Sequence, residues 1–475
     1  MFVGRRAELD LLESHYSSPK SELAVIYGRR RIGKSVLVKK FAEGKRLFYS
    51  FEGLEEGRIA SQIAHFVRQL SDQIDEPLLE NARFGSWDEL FSYLTQILFS
   101  GKSGKKKRTK TVLFFDEIQW MASRRSKLIS LIKYYWDNHW KEHNVMLILC
   151  GSIASFMVGR VINSKALYGR STLEINLLGL SPGEAGQFFR SSRSLDEVMK
   201  YLLVFGTVPR HLELIDQHKS FNQNLNQLCF SKNSAMRGEV EKVFFSQFSE
   251  TRIYEQLVQV LKVGPCSLAG LSQRLNMTSG GGLKRYLDNL ERAELVCSAV
   301  PWDKDDTSKL RKYSLCDEYL HFYFKYIEPN KKTIEQAGRR HLFELITKNG
   351  FDSWMGYAFE RFCRKHAFYL AEIMGFADEV ESFGPLFQRK DSLFQIDLLY
   401  KRFDKVVTVC EIKFRNSKID TPVMGEMKRK LERLKIPAGY SCETALISSH
   451  GPTSSLRATQ FFDHHVLMND FLQVD

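Results

Sequence analysis

Glu22-Leu-Ala-Val-Ile-Tyr-Gly-Arg-Arg-Arg-Ile-Gly-Lys-Ser-Val-Leu-Val-Lys-Lys-Phe41 is the stretch that decides the fold of this chain. Its first part, Leu23 to Tyr27, is a short run of apolar and β-branched residues, which is typical of a buried parallel strand. Beyond the second glycine, Val36, Leu37 and Phe41 recur at helical spacing. The stretch therefore predicts a strand, a glycine-containing loop and a helix, in that order.

The loop from Gly28 to Ser35 has the pattern GxxxxGKS, the P-loop. In such a loop the backbone N–H groups surround a phosphate at a helix N-terminus, and Gly33 leaves room for it. We expect Lys34 to reach the β- and γ-phosphates of ATP and the Ser35 hydroxyl to bind Mg²⁺. The predicted nucleotide-binding residues are Gly28, Arg29, Arg30, Arg31, Ile32, Gly33, Lys34, Ser35 and Val36.

A second apolar strand starts at Thr111 and ends in two carboxylates, Asp116 and Glu117. This is the Walker B arrangement, in which the first carboxylate holds Mg²⁺ and the second polarises the attacking water. We therefore assign Asp116 to the metal and Glu117 to the general base. The alternative is a strand that ends in a solvated acidic turn.

Two residues beyond the acidic pair are further candidates for catalysis. Ser152 ends another buried strand, Asn144 to Ser152, where a hydroxyl can lie between the Walker B residues and the γ-phosphate as a sensor. Arg170 follows the next helix and is a candidate arginine finger, acting in cis or on a neighbouring subunit of a homo-oligomer. A surface salt bridge is the alternative for Arg170. Strands that alternate with helices predict a parallel sheet wrapped by helices.

Composition narrows the class of protein. The chain has 475 residues, which predicts two to four domains, and 43% hydrophobic with 26% charged residues indicates a globular protein. Its 69 Lys and Arg exceed its 56 Asp and Glu, giving a net charge of +13 that favours a polyanionic partner such as nucleic acid. A basic loop at residues 101–110 either contacts nucleic acid or is simply solvated.

Cysteine usage and the N-terminus indicate the compartment. The eight cysteines are scattered singly with no CxxC pair, as in reduced proteins. The N-terminus lacks the apolar region of a signal peptide, and no apolar run approaches the length of a membrane span. We expect a cytoplasmic protein with no membrane association.

The first half of the chain resembles the archaeal-type P-loop ATPases, which are related to the AAA+ and STAND classes. The resemblance lies in the opening FVGRRAEL, in YGRRRIGKS, FFDEIQW, LILCGS and LYGR, and in the FGTVPR break at Phe205 to Arg210. Residues 1–180 would form the ATPase core and the helical residues 181–248 a lid over the nucleotide. The turn at Gly4 and Arg5 is either close to the nucleotide base or a plain helix cap. Thr207 departs from the family, in which a glycine is usual at this position.

Residues 249–328 show three helical segments followed by a hairpin, which is the order of a winged helix. In the third segment, Lys284 and Arg285 would face the major groove of DNA or its phosphates. The alternative is a winged helix that only packs as a spacer.

Residues 335–475 carry a second set of charged residues in strand-like segments. Glu411 and Lys413 share one face of a predicted strand, and Asp397 lies in the preceding strand, Leu393 to Tyr400. Buried strands rarely carry such residues unless they bind a metal or each other. With Glu360 on an earlier helix, the pattern resembles the PD-(D/E)XK nuclease superfamily. The resemblance implies that Glu360, Asp397 and Glu411 bind Mg²⁺ and that Lys413 steadies the attacking hydroxide. An ion cluster that only stabilises the sheet is the alternative.

These features predict an α/β protein: a P-loop parallel sheet, a helical lid, a winged-helix module and a C-terminal restriction-endonuclease-like α/β domain. The expected function is ATP hydrolysis coupled to DNA binding, with Mg²⁺-dependent cutting left open. The alternative is a signalling or scaffold ATPase whose nucleotide state switches binding of a protein partner, with a catalytically inactive C-terminal domain.

Overall fold

The computed structural model describes residues 2–99, 109–122, 126–152, 156–165, 167–189, 191, 193–240, 248, 251–278, 281–302, 304, 307–336, 341–388 and 394–473. Two compact units are formed, one from residues 1–178 with 246–248 and one from residues 179–245 with 249–475. The predicted end of the ATPase core at residue 180 lies close to this division. Apart from residues 246–248 at the end of the predicted lid, the other three predicted segments fall in the second unit, and they remain predictions as separate domains. Residues 101–108 of the basic loop lie outside the described residues.

The first unit is built around a five-stranded sheet in the order β2-β3-β4-β1-β5. Every neighbouring pair is parallel. The strands are Glu22–Tyr27 (β1), Phe48–Glu52 (β2), Thr111–Asp116 (β3), Val145–Gly151 (β4) and Leu173–Asn176 (β5). β3 and β4 are buried along their whole length, which explains why they read as continuous apolar runs. The predicted α/β class with a parallel sheet is confirmed.

Six α-helices accompany this sheet among the described residues of the first unit. They are Arg6–Ser17 (α1), Lys34–Ala42 (α2), Ile59–Ile74 (α3), Trp87–Phe99 (α4), Ile118–Met121 (α5) and Leu128–Asn138 (α6). Aromatic rings from α3, α4 and the sheet form the core, and the rings of Phe51 and Phe66 stack with centroids 3.7 Å apart. Each fully buried ring contributes about 1.5–3 kcal/mol to stability.

The helix after the P-loop forms where predicted, but a different residue completes its apolar face. Leu37, Val38 and Phe41 are buried together with Lys34, which is the i, i+3, i+4, i+7 face of a helix. Val36, which the sequence pattern included in the apolar spacing of this helix, is 52% exposed. Because α2 turns by about 100° per residue, Val36 and Val38 cannot share one face.

The second unit contains two sheets and fifteen described α-helices. Its helices are Pro182–Gly186 (α7), Leu195–Phe205 (α8), Pro209–Glu213 (α9), Phe221–Cys229 (α10), Thr251–Leu261 (α11), Leu268–Leu275 (α12), Gly281–Arg292 (α13), Glu318–Phe322 (α14), Lys331–Gln336 (α15), Leu342–Thr347 (α16), Phe351–Lys365 (α17), Ala367–Ile373 (α18), Pro422–Arg433 (α19), Ser454–Ala458 (α20) and Met468–Leu472 (α21). The segment from α7 to α10 is helical, as predicted for the lid residues.

A small sheet in the order β6-β8-β7 accompanies α11, α12 and α13. Its strands are Cys266–Ser267 (β6), Val296–Ala299 (β7) and Lys312–Leu315 (β8), and both pairs are antiparallel. The three helices and the hairpin lie where the sequence predicts them. The two-residue strand β6 was not predicted, since so short a segment has no periodicity to read. Residues 303, 305 and 306 of the predicted wing turn lie outside the described residues.

The larger sheet has the order β13-β12-β11-β10-β9. Its strands are Val380–Gln388 (β9), Phe394–Arg402 (β10), Val406–Lys413 (β11), Ser441–Ser448 (β12) and His464–Leu467 (β13). β9, β10 and β11 are antiparallel neighbours, whereas β11, β12 and β13 are parallel. The connection from β11 to β12 contains α19. β9 was not predicted because Gly384 and Pro385 interrupt its pattern, and proline is tolerated there because β9 is an edge strand.

No helix in the described ranges combines the length and apolar character needed to cross a membrane.

Acid sensitivity of the second unit is expected from His321, whose Nε2 lies 3.1 Å from the carbonyl oxygen of Leu315. Burial, followed by the charge of Arg361, lowers the pKa of His321 to about 3. The folded state therefore keeps the ring neutral, whereas the unfolded chain binds a proton near pH 6.5. Above pH 6.5 the ring is neutral in both states and costs the protein no stability. As the pH falls towards 3, the free energy of unfolding decreases by about 1.4 kcal/mol per pH unit because of this group.

Urea denaturation at pH 7 and pH 5 would measure this decrease. His321→Gln should lose that part of the pH dependence, whereas replacing the exposed His218 with glutamine should retain it. Equal pH dependence of wild type and His321→Gln would contradict a ring that stays neutral in the folded state.

Candidate functional site

The P-loop joins the carboxyl end of β1 to the first residue of α2. At Gly28 a Cβ atom would lie 2.3 Å from the backbone oxygen of Leu177, so only glycine fits there. Gly33 has φ 95° and caps α2, in a backbone conformation that favours glycine. The first N–H groups of α2 have no carbonyl one turn earlier to bind, and the helix dipole favours an anion beside them. The backbone of this loop therefore fits a phosphate group.

Lys34 lies across this loop. The side chain is buried, and its Nζ donates to the carbonyl oxygens of Gly28 at 3.1 Å and Arg29 at 3.2 Å. Carbonyl oxygens carry no net charge, so these two hydrogen bonds leave the positive charge of Lys34 unneutralised. It is therefore well suited to bind an anionic phosphate.

The other predicted nucleotide-binding residues differ in exposure. Arg29 and Ile32 are buried, whereas Arg30 is exposed and its guanidinium lies 3.9 Å from a Glu55 carboxylate oxygen. Arg31 has φ 71°, which helps the loop to curl. The side chain of Val36 is exposed, so any part it takes in phosphate binding is through its backbone N–H.

Arg5 holds the P-loop in place from the N-terminal side. It is buried, and its Nη2 donates to the carbonyl oxygens of Ile32 at 3.3 Å and Leu178 at 2.5 Å. Its Nη1 forms an ion pair with Glu8 at 2.9 Å. The guanidinium therefore connects the P-loop to the segment after β5. This is a structural role that the sequence pattern did not reveal.

The two predicted Mg²⁺ ligands, Ser35 and Asp116, lie next to each other. Burial is the main reason that the pKa of Asp116 is raised, and a hydrogen bond from the Ser35 hydroxyl opposes that shift. A carboxylate and a hydroxyl side by side at the end of the P-loop are the oxygen donors that Mg²⁺ prefers. Ser35 and Asp116 are therefore the residues that would hold the ion, which would neutralise charge on the β- and γ-phosphates when bound.

Glu117, Gln119 and Ser152 form a hydrogen-bonded group beside Asp116. The Ser152 hydroxyl donates to Glu117 Oε2 at 2.8 Å. Gln119 Nε2 donates both to Ser152 Oγ at 3.1 Å and to Glu117 Oε2. β3 and β4 are parallel neighbours, so residues just beyond their carboxyl ends meet. The sequence indicated Glu117 and Ser152 but missed Gln119, which the motif FFDEIQW contains.

Arg170 is far from this site within one chain. Its Nε and Nη2 donate to the Asp137 carboxylate at 2.8 and 2.9 Å, which is the salt bridge that was the alternative interpretation. Arg170 precedes the amino end of β5, where the N–H of Thr172 donates to the carbonyl of Leu23 near the start of β1. The P-loop follows the opposite end of β1, about 20 Å away for six residues. Within one chain Arg170 therefore lies away from the P-loop, and its action on a neighbouring subunit stays a prediction.

The parallel sheet, the P-loop and the acidic pair at the end of β3 define a P-loop ATPase domain. Residues 2–215 match a family model described as an ATPase domain predominantly from Archaea. Residues 323–424 match a family described as "Archaea bacterial proteins of unknown function". The predicted resemblance to archaeal P-loop ATPases is confirmed for the ATPase domain.

The chain is 27% identical over 423 residues to the uncharacterized protein MJECL04 of Methanocaldococcus jannaschii, covering 88% of each. A segment of 47 residues is 49% identical to the uncharacterized ATP-binding protein MJ0423 of the same organism, covering 10% of this chain and 80% of the relative. Among solved structures, the ORC2 protein of Aeropyrum pernix in ADPNP-ADP complexes is 16% identical. The structural match covers 69% of this chain and 92% of the ORC2 chain, with a TM-score of 0.37, and supports no further conclusion.

The second unit brings together the charged residues predicted in its strands. β10 and β11 are antiparallel, and Asp397 and Glu411 lie one step beyond the paired residues Leu398 and Cys410. Asp397 is 7% exposed and Glu411 is fully buried. Asp397 Oδ2 accepts a hydrogen bond from the N–H of Ile412 at 3.1 Å. The two carboxylates therefore meet inside the unit, as the strand pattern predicted.

Two lysines bind these carboxylates. Lys413 Nζ lies 2.7 Å from Glu411 Oε1 and 2.9 Å from Glu426 Oε2. On the other side, Lys430 Nζ lies 2.5 Å from Glu411 Oε2 and 4.0 Å from Asp397 Oδ2. Although burial alone would lower the pKa of Lys413, the charge of Glu411 raises it. Lys430 and Glu426 lie on α19 and were missed, because nothing in the sequence shows that this helix faces β11.

Glu360 on α17 is the third predicted metal ligand. Burial, and then the charge of Asp397, raise the pKa of Glu360, while Arg364 lies 3.8 Å away and opposes the shift. Among the described residues, no group of three or more His, Cys, Asp or Glu side chains could hold a metal ion. The metal site of Glu360, Asp397 and Glu411 stays a prediction. In the described residues the ammonium groups of Lys413 and Lys430 contact Glu411.

The predicted DNA-facing residues of the small helical module are both exposed on α13. Lys284 Nζ forms an ion pair with Asp288 at 2.7 Å, and the guanidinium of Arg285 lies 5.2 Å from the ring centroid of Tyr286. Leu283, Tyr286 and Leu287 form the buried face of the same helix. α13 thus presents a basic pair to solvent on a helix that is fixed by its apolar side.

Proposed function

We propose that this protein is an ATP-hydrolysing switch whose nucleotide state controls the binding of nucleic acid by the second unit. The observation that carries the proposal is the convergence of Lys34, Ser35, Asp116 and Glu117 at one end of the parallel sheet. This grouping joins a phosphate-binding loop, a lysine, a pair of oxygen donors and a carboxylate that can act as a general base.

Each of these residues has a separable task in ATP hydrolysis. Lys34 would bind the phosphates, since its ammonium group lies over the loop whose N–H groups bind the same anion. Glu117 would take the proton of the attacking water, and the hydrogen bond from Ser152 orients its carboxylate. Arg170 would take part only by reaching the nucleotide of a neighbouring subunit in a homo-oligomer.

Nucleic acid is the proposed partner for two reasons, the net positive charge of the chain and the arrangement of helices and strands around α13. The chain carries a net charge of +13, and phosphate contacts by basic side chains dominate binding to nucleic acid. Three helices with a three-stranded antiparallel sheet support a winged-helix interpretation, in which α13 is the recognition helix. Lys284 and Arg285 are both exposed on this helix and are the proposed phosphate contacts, and Asp288 partly neutralises Lys284.

Binding of duplex DNA is expected to weaken as salt rises, with a linear relation between the logarithms of affinity and salt concentration. The double variant Lys284→Ala/Arg285→Ala should reduce the slope by about 1–2, because each lost phosphate contact removes about 0.9. Fluorescence anisotropy at several salt concentrations would measure the slope. Lys39→Ala/Lys40→Ala, which removes two exposed cations from α2, is the matched control. An unchanged slope in the α13 variant would contradict its role.

A catalytic role of the second unit in cutting nucleic acid is a separate question. The antiparallel β9, β10 and β11, followed by α19 and the parallel β12, support the resemblance to PD-(D/E)XK nucleases. The contacts of Lys430 with both carboxylates favour the alternative, a domain that binds a partner without catalysis. We therefore propose binding without cutting.

Incubation of DNA and RNA with the purified protein tests this. With Mg²⁺ or Mn²⁺, and with or without ATP, the wild type should give no more product than Asp397→Ala or Lys413→Ala. Gel electrophoresis of end-labelled substrates would detect the product. Cutting that is lost in both variants, while ATP turnover persists, would contradict the proposal and identify a nuclease.

A further inference from the structure

We propose that Lys430 is the resident cation of the buried carboxylate pair Asp397 and Glu411, so that an ammonium group takes the place that a divalent metal would need. The inference goes beyond the proposed function. ATP hydrolysis and DNA binding can each be observed or fail without changing the outcome of the metal-binding test below.

The contacts of Lys430 define the position of its charge. Its Nζ lies 2.5 Å from Glu411 Oε2 and 4.0 Å from Asp397 Oδ2, so it is adjacent to both carboxylates. A Mg²⁺ ion bound to the same oxygens would lie about 2.0–2.1 Å from them. It would then be only a few ångströms from the ammonium group, and the two positive charges would repel each other in a partly desolvated site. Metal and ammonium therefore compete for one position.

Two ammonium groups lie beside the carboxylate of Glu411. Glu411 is fully buried, and burying a carboxylate is costly unless it is paired. Lys413 Nζ lies 2.7 Å from its Oε1 as an ion pair without hydrogen-bond geometry, whereas Lys430 donates a hydrogen bond to its Oε2, so each carboxylate oxygen has a cation beside it. Lys430 is also the strongest influence opposing the rise in the pKa of Asp397 that burial causes. The chain thus supplies for itself the positive charge that the carboxylates require.

Packing of α19 holds Lys430 in this position. Val423 and Met427 of the helix are buried in the apolar cluster that also contains Val409 of β11. Glu426 and Lys430 are four residues apart and therefore share one face of the helix, the face that meets Lys413 and Glu411. The position of the ammonium group follows from the core packing of the helix that carries it.

Titration of the nucleotide-free protein with Mn²⁺, followed by electron paramagnetic resonance of the free ion, tests the inference. Wild type and Asp397→Asn should bind the same number of ions per chain, because the cluster contributes no site. Lys430→Met keeps the length of the side chain without its charge and should gain one site per chain. That site should be lost again in Lys430→Met/Asp397→Asn.

Two variants serve as controls. Lys430→Arg keeps the positive charge and should gain no site, and Lys428→Met removes an exposed lysine of the same helix and should behave as wild type. A Mn²⁺ site in the wild type that Asp397→Asn removes would overturn the inference, and this comparison does not depend on folding of any Lys430 variant. A folded Lys430→Met chain that gains no site would overturn it as well.

Discussion

ATP turnover by Lys34→Ala is expected to be at least about a hundredfold slower than turnover by the wild type, because losing one positioned group that stabilises transition-state charge costs about 10²–10³ in rate. Lys34 is buried over the P-loop, and in the described part of the chain its Nζ donates to the carbonyl oxygens of Gly28 and Arg29, which carry no net charge to neutralise it. Phosphate release from ATP and Mg²⁺ at saturating ATP measures the effect.

Lys39→Ala is the matched control for this variant, since it removes an exposed lysine from the same helix. It should hydrolyse ATP at the wild-type rate. A folded Lys34→Ala protein with unchanged turnover would show that the P-loop is not the site of hydrolysis.

Glu117→Gln is expected to lower turnover by about 10²–10⁴ while leaving ATP binding nearly intact, since it removes a general base and keeps the shape of the side chain. The glutamine oxygen can still accept the hydrogen bond that the Ser152 hydroxyl now donates to Glu117. Phosphate release and equilibrium binding of a fluorescent ATP analogue would separate the two effects.

The exposed Glu142 provides the control, because Glu142→Gln removes an equal charge from the surface of the same unit. Full turnover in Glu117→Gln would assign the base to another residue. Loss of ATP binding in the same variant would indicate a structural role for Glu117 instead.

The ATPase sheet could be predicted because short, continuous stretches of sequence specify its strands and its phosphate-binding loop. Buried parallel strands leave continuous apolar runs, and the phosphate-binding loop requires glycines, a lysine and a hydroxyl at a set spacing. For this reason the sequence indicates Lys34, Ser35, Asp116, Glu117 and Ser152 as candidates, and the structure brings them together at one end of the sheet. The carboxylates of the second unit were found by the same reasoning, since Glu411 and Lys413 share a face of one strand.

Contacts made by tertiary packing could not be predicted. Arg5, Gln119 and Lys430 have ordinary sequence surroundings, and only the folded chain brings each of them to its buried partners. The edge strand β9 was missed because Gly384 and Pro385 interrupt the residue pattern of a strand. For Arg170 the sequence left an arginine finger in cis, one in trans and a salt bridge open, and only the folded chain shows its contact with Asp137 before the amino end of β5.

Isothermal titration calorimetry of the nucleotide-free protein with ATP and Mg²⁺ tests the central claim most directly, namely that the loop from Gly28 to Ser35 binds a nucleotide. The account predicts one molecule of ATP bound per chain by the wild type and loss of that binding in Lys34→Ala. A well-folded wild type that takes up neither ATP nor ADP, with a Lys34→Ala variant indistinguishable from it, would contradict the account.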